Sequence, residues 1–338
     1  MISLKCTGPG FFEYDEIPSP TLHPGNAIIK IKRIGICGTD LHAFKGTQPF
    51  FDYPRILGHE LSGELTDLAG ACEFRPGDPV TLIPYFHCGN CIAYRSGKPN
   101  CCVNMKVFGV HVDGGFSEFI SVPITALVHG ASLGYEALAL VEPLSIGAHG
   151  IRRAEVKKDD FVLVIGAGPI GLSAMKFAQL AGAEVIALDQ REQRLAWCRD
   201  RFGIRHTIHA GDADVLQQIA RITCNDMPAI VIDATGNLEG INNGFKYISH
   251  GGKYILIGLQ KADINFSHPE FHKREASLLS SRNATREDFT HVVDCLRNGQ
   301  ISPGDFVNHH LTFESVKNEF PGLYDENRGI VKTMVNFL

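Results

Sequence analysis

The sequence predicts an α/β chain in which a doubly wound, parallel-sheet domain is inserted between two parts of a β-rich domain. Residues 1 to about 145 are rich in Gly and Pro and in short β-branched runs, such as "NAIIKIKRIGICG" and "GDPVTLIPYF", bounded by turn dipeptides. From about 155 the texture becomes apolar strand, glycine turn and helix in succession: "DDFVLVIGAGPIGLSAMKFAQLAGAEVIALD", then "AIVIDATG" and "GGKYILIGL". Strands that are apolar throughout and alternate with helices belong to a parallel sheet covered on both faces. The remaining segments are again short and mixed, so the domains read as 1–145, 146–279 and a return segment 280–338.

The length fits this division, since 338 residues suggest two domains at roughly 150 residues each. With 44% hydrophobic residues the chain has enough apolar material for two cores. A net charge of −5 and a pI near 6.3 disfavour non-specific binding to nucleic acid or to an anionic membrane. The N-terminal "MISLKCTGPGFF" lacks the pattern of a signal peptide, and no apolar window of about 18 residues predicts a membrane span. The expectation is a cytoplasmic protein, whose ten cysteines are thiols or metal ligands rather than disulfides.

In the inserted domain, Gly166, Gly168 and Gly171 form G-x-G-x-x-G between the strand "FVLVI" and a helix opening at Pro169 and Ile170. The first glycine permits the tight turn, the second lets the backbone approach a pyrophosphate, and the third allows helix and strand to pack closely. Proline suits a first helical turn, and the helix N-terminus turns N–H groups toward phosphates. The next strand, "EVIAL", ends at Asp189, where a carboxylate accepts hydrogen bonds from ribose hydroxyls and repels a 2′-phosphate, so NAD is favoured over NADP. Arg191 and Arg194 follow closely and oppose that preference. Thr235 in "DATGN" and Gly258 and Leu259 in "LIGLQ" stand at later strand ends and are expected to line the same crevice.

Metal-ligand residue types occur in three upstream stretches: "GICGTDLHAF" with Cys37, Thr39, Asp40 and His42, "LGHELSG" with His59 and Glu60, and "LVEPLSIGAHG" with Glu142. Taken singly, a lone His or Cys is more often a core residue. Taken together with Pro76-Gly77-Asp78, Gly114-Gly115-Phe116-x-Glu118 and the glycine turn, in this order and spacing, they resemble the zinc-dependent medium-chain dehydrogenases from about residue 25 onward.

The resemblance implies a GroES-like catalytic domain around an inserted Rossmann domain, with zinc and NAD as cofactors. It implies that Cys37, His59 and Glu142 bind a catalytic zinc, that Glu60 binds it directly or exchanges with water there, and that Glu rather than Cys at position 142 places the chain on the polyol and threonine dehydrogenase side. An S/N/O shell with one open position fits catalytic zinc, which acts on a substrate hydroxyl as a Lewis acid. By resemblance Thr39 takes the alcohol proton, which passes through the cofactor ribose to His42, and an ordinary histidine pKa of about 6.5 suits that shuttle. Asp40 is either a member of the site or a turn residue.

Phe50, Phe51, Phe108 and His111 fall where family members line the substrate channel, and Arg282 resembles a position at the mouth of the site. The stretches "TQPFFDYPRILGHE", "GVHVDGGFSEF" and "HPEFHKREASLLSSRNAT" resemble most the bacterial L-galactonate 5-dehydrogenase group of sugar-acid enzymes. A sugar-acid substrate carries a carboxylate for Arg282 or Lys273 to pair with, although the alternative for Lys273 is a surface cation. A polyol such as sorbitol, or L-threonine, is the rival substrate, and the resemblance implies a homodimer or homotetramer. A zinc-free relative, or an NAD-binding protein without turnover, is the remaining alternative, against which the intact Cys37, His59 and Glu142 stand.

"HCGNCIAYRSGKPNCC", residues 87–102, holds four of the ten cysteines. Family members with a second, structural zinc space four cysteines C-x2-C-x2-C-x7-C. Here Cys88, Cys91 and Cys102 match, while the third position is Tyr94, whose neutral phenol is a poor partner for zinc beside thiolates. His87 or Cys101 completing the set after a loop shift, a three-thiolate site closed by water, and loss of the metal are all open.

Overall fold

The structure, a computed structural model, describes the whole chain except Pro49, Phe50, Ala71, Cys72, Ala131 and Leu338, so the expectation for Phe50 lies outside the described residues. It divides into two compact units: residues 1–142 together with 285–338, and residues 143–284. The second unit is slightly wider than the 146–279 read in the sequence, because the strand Ser277–Ser280 and the loop after it belong to its sheet.

In the first unit the long strand Asn26–Gly35 is the hub. Its isoleucines 29 and 31 point into the core while Lys30 and Lys32 alternate outward, the period-2 pattern of a half-buried strand. It pairs antiparallel with Glu60–Leu68, with Phe119–Pro123 and, at its end, with the C-terminal strand Thr333–Asn336. The core beneath gathers Ile34, Leu57, Leu61, Leu65, Phe116 and Val335, all essentially inaccessible. This pairing draws three remote segments together at Gly35: register places Glu60 opposite it on one side and Met334 on the other.

The second unit is a six-stranded parallel sheet. Its strands, in chain order Phe161–Ile165, Glu184–Asp189, His206–His209, Ile230–Asp233, Lys253–Leu256 and Ser277–Ser280, stand side by side as third, second, first, fourth, fifth and sixth. Consecutive residues Val162, Leu163 and Val164 are all buried, as expected of a strand covered on both faces. Strand order reverses between the first and fourth strands, and ligands of such sheets bind outside the carboxyl ends at that switch. Among the described residues, no helix is long and apolar enough to cross a membrane.

Candidate active site

The metal-ligand types of the first unit converge at the hub strand's end. After Gly35, Cys37 caps the short helix Gly38–Phe44. Its own N–H donates to the Asp40 carboxylate at 2.9 Å, so the turn fixes where the thiol points. His59 follows Gly58, a glycine at φ +92° packed against Phe116, and Glu60 opens the next strand. The ligand atoms of Cys37, His59 and Glu60 all lie within 4.8 Å of one another, with His59 and Glu60 buried and Cys37 half-buried.

Asp40, open between two readings in the sequence, is a buried member of this site. Its second oxygen accepts the Gly58 N–H at 3.2 Å and lies 3.9 Å from His59 Nδ1. A carboxylate behind an imidazole orients the ring that faces a metal. Burial pushes Asp40 up, with His59 and two backbone donors opposing. Burial alone would lower His59, but Cys37, then Asp40 and Glu142, outweigh it and hold the imidazole well above its ordinary range. The ring is thus surrounded by anions, which is also the environment that holds a metal cation.

Lys332 is the residue that sequence reasoning missed. It lies in the segment leading into the C-terminal strand, its side chain is 2% exposed, and its ammonium pairs with the 1% exposed Glu60 carboxylate while donating to Ile36 O at 2.9 Å. Burial lowers its pKa, and Glu60 and Cys37 more than restore it, so the lysine stays charged. An isolated lysine in "GIVKTMVNF" carries no motif, and only the strand pairing brings it to Glu60. A Cβ at Gly35 would fall on the Glu60 carboxylate and against Lys332, so glycine there is what admits the pair.

Glu142, read in the sequence as a zinc ligand, stands outside the group of three. It is buried and accepts a hydrogen bond from the Tyr85 phenol, a partner the sequence gave no sign of. A buried carboxyl needs such a donor. Burial, reinforced by Glu60 and opposed by His59, pushes it up to about 7. Its electrostatic coupling to His59, Glu60 and Lys332 keeps it part of the same charged centre.

The other predicted positions are more scattered. Thr39 is half-buried on the first turn of the short helix, and His42 is exposed with Nδ1 3.0 Å from Thr47 Oγ1. Phe51 is half-buried against Tyr53, whereas Phe108 is 5% exposed and packs into the core against Phe86. His111 Nδ1 accepts the Val107 N–H at 3.0 Å, which leaves Nε2 to carry the proton of the neutral ring. In the second unit Arg282 is exposed in the loop after the last strand, and Lys273 lies 4.0 Å from Glu270, as a surface cation does.

The second unit carries a cavity of about 550 Å³ lined by Gly166, Gly168, Asp189, Arg194 and Thr235, together with Arg191, His209 and Asn237. Gly166 adopts φ +97°, and a Cβ on Gly171 would strike the Gly166 carbonyl, so both glycines are required by the turn. A Cβ on Gly168 would meet nothing within 4 Å, which leaves the helix N-terminus at Pro169 and Ile170 open for a diphosphate to approach. Asp189 accepts the N–H groups of Ala167 at 2.6 Å and Arg191 at 2.8 Å. Gly258 and the exposed Leu259 pack on Gly236 of the "DATGN" loop, itself held by Asp233, beside the residues that line this cavity.

A thiol, an imidazole and a carboxylate gathered in a buried, anion-rich pocket suit a zinc ion held by three protein ligands, the arrangement of catalytic sites. With a dinucleotide cavity in the same chain, they define a metal-assisted, nicotinamide-dependent dehydrogenase. Residues 23–132 match the alcohol dehydrogenase GroES-like domain and residues 169–298 the zinc-binding dehydrogenase domain. The L-galactonate-5-dehydrogenase of Escherichia coli K12 is 40% identical over 99% of this chain and 98% of its own. A sorbitol dehydrogenase of Halalkalibacterium halodurans is 30% identical over 90% of each chain's length. The RspB alcohol dehydrogenase of E. coli CFT073, solved with NADH, superposes with a TM-score of 0.93 at 28% identity, covering 100% of this chain and 99% of that one. The chain belongs to the zinc-type medium-chain dehydrogenases and is an NAD-dependent zinc alcohol dehydrogenase that oxidises CH–OH groups.

Proposed function

We propose that the enzyme oxidises a secondary alcohol of a sugar acid of the L-galactonate type to the keto acid, with NAD as hydride acceptor. The observation that carries this is the 40% identity, end to end, to an L-galactonate-5-dehydrogenase. Cys37, His59 and Glu60 hold the zinc, which supplies the Lewis acidity that brings a substrate hydroxyl into the range where it ionises near neutral pH. Asp40 fixes the His59 ring, and Lys332 holds the Glu60 carboxylate in place while offsetting its charge. Thr39 takes the hydroxyl proton and His42, at the surface, passes it to solvent. Glu142, with Tyr85 as its donor, sets the local charge from outside the ligand set.

In the second unit the Gly166–Gly171 turn and the helix behind it bind the dinucleotide, with Asp189 selecting NAD by its charge. Arg282 pairs with the substrate carboxylate, and Phe51 and His111 contact the polyol chain. The enzyme works in the cytoplasm as a homodimer or homotetramer. Steady-state kcat/KM with NAD on L-galactonate, other aldonates, sorbitol, galactitol and L-threonine tests the substrate. Aldonates should lead, Arg282→Ala should raise KM for them alone, and a clear preference for sorbitol would replace this reading with a polyol dehydrogenase.

A further inference from the structure

The cysteine-rich stretch remains once the catalytic residues are placed. The sulfurs of Cys88, Cys91 and Cys102 lie within 4.8 Å of one another, those of Cys88 and Cys102 at 3.4 Å. They are held by two tight turns, Ile92–Arg95 capped by Cys91 and Pro99–Cys101 leading into Cys102. Peptide N–H groups aim at the sulfurs: those of Cys88 and Asn104 at Cys102 Sγ, 3.2 and 3.4 Å, and that of Tyr94 at Cys91 Sγ, 3.5 Å. Donors so placed stabilise thiolate over thiol, and three adjacent thiolates call for a cation.

Among the described residues three protein donors converge here, and neither His87 nor Cys101 joins them. The Tyr94 ring lies 4.8 Å from the His87 ring, tilted at 34° to it, and Cys101 is exposed and outside the trio. Structural zinc sites are closed by four protein ligands, whereas a site with three keeps an exchangeable position. Cys88 is exposed, Cys91 half-buried and Cys102 buried, so solvent reaches the trio from the Cys88 side.

We propose that Cys88, Cys91 and Cys102 form an open three-thiolate site for a thiophilic divalent cation of the zinc type, its fourth position taken by water or a small soluble ligand, so that the metal exchanges with solution. The lobe is then an exchangeable metal site instead of a permanent staple.

The test uses the full-length chain bearing Cys37→Ser, which weakens the catalytic site so that bound zinc reports on the lobe. Zinc content after gel filtration and the rate of release to 4-(2-pyridylazo)resorcinol are compared with the same chain carrying Tyr94→Cys. The expected result is about one zinc per chain, leaving on the order of 100-fold faster than from the Tyr94→Cys chain. In the unmutated protein, zinc should also slow iodoacetamide labelling of Cys88 and Cys91, read by peptide mass spectrometry. Release as slow as from Tyr94→Cys would mean a fourth protein ligand and overturn the proposal. Failure of the reduced, unmutated chain to gain protection with zinc would overturn it as well. Neither readout involves turnover, so the substrate assignment stands or falls separately.

Discussion

Among the described residues, two places bring three metal-ligating atoms within 4.8 Å, and they differ in what surrounds them. At Cys37, His59 and Glu60 the neighbours are charged side chains out of water: Asp40, Glu142 and the ammonium of Lys332. At Cys88, Cys91 and Cys102 the neighbours are backbone N–H groups at the surface. The first setting tunes chemistry, because buried charges act on one another through a low dielectric. The second only makes thiolates affordable. Cysteine density therefore points to the lobe, while the setting we propose for the chemistry is the sparser set.

The largest expected effect tests the functional half of that contrast. His59→Ala should remove the catalytic zinc and lower kcat/KM by about 10³-fold or more, ~4 kcal/mol, measured with metal content on the same sample. Lys332→Met leaves the Glu60 carboxylate buried without its partner and should cost roughly 3–5 kcal/mol in chemical denaturation. Equal stability would mean that Glu60 relaxes to water and the pocket is not as closed as its burial indicates. Gly35→Ala forces a methyl group onto the same carboxylate and should cost about 1–3 kcal/mol while weakening zinc retention.

A pH profile sharpens the contrast further. Glu142, held near 7 in the folded protein by burial against 4.5 as its ordinary value, binds more protons folded than unfolded between those limits. Zinc-free enzyme should therefore lose stability as pH rises through that window, and Glu142→Gln should flatten the loss, read as denaturation midpoints at about pH 5 and about pH 8. The smallest effect belongs to the lobe. Tyr94→Ala, lifting its ring from His87, should lower stability by no more than about 1 kcal/mol.

The glycine turn and the strand–helix alternation were legible because each depends on residues close in sequence or on a period, whereas the pairing of Cys37 with His59 came from the resemblance of the motifs around them to a known family. Lys332 was not, since 272 residues (332 − 60) separate it from Glu60 and only the antiparallel return of the last strand joins them. Tyr85 was hidden for the same reason: nothing near it in the chain marks it as the donor to Glu142. Asp40 stood open between turn residue and site member because it is both, capping its own helix while lying 3.9 Å from His59 Nδ1. Phe108 was singled out because family members line the substrate channel at that position, and its ring is packed in the core.

Asp189 has a consequence for anyone wishing to re-engineer this enzyme's coenzyme. Its two oxygens accept the N–H groups of Ala167 and Arg191, tying the glycine turn to the start of the next connection. The side chain we propose to discriminate against a 2′-phosphate is thus also a clasp for the loop beside the cavity. Exchanging it for a neutral residue to admit NADP would loosen the floor of the cavity along with its selectivity. A successful switch has to restore the clasp with a replacement such as Asn or Ser, and recruit Arg191 or Arg194 for the added phosphate, in the same step.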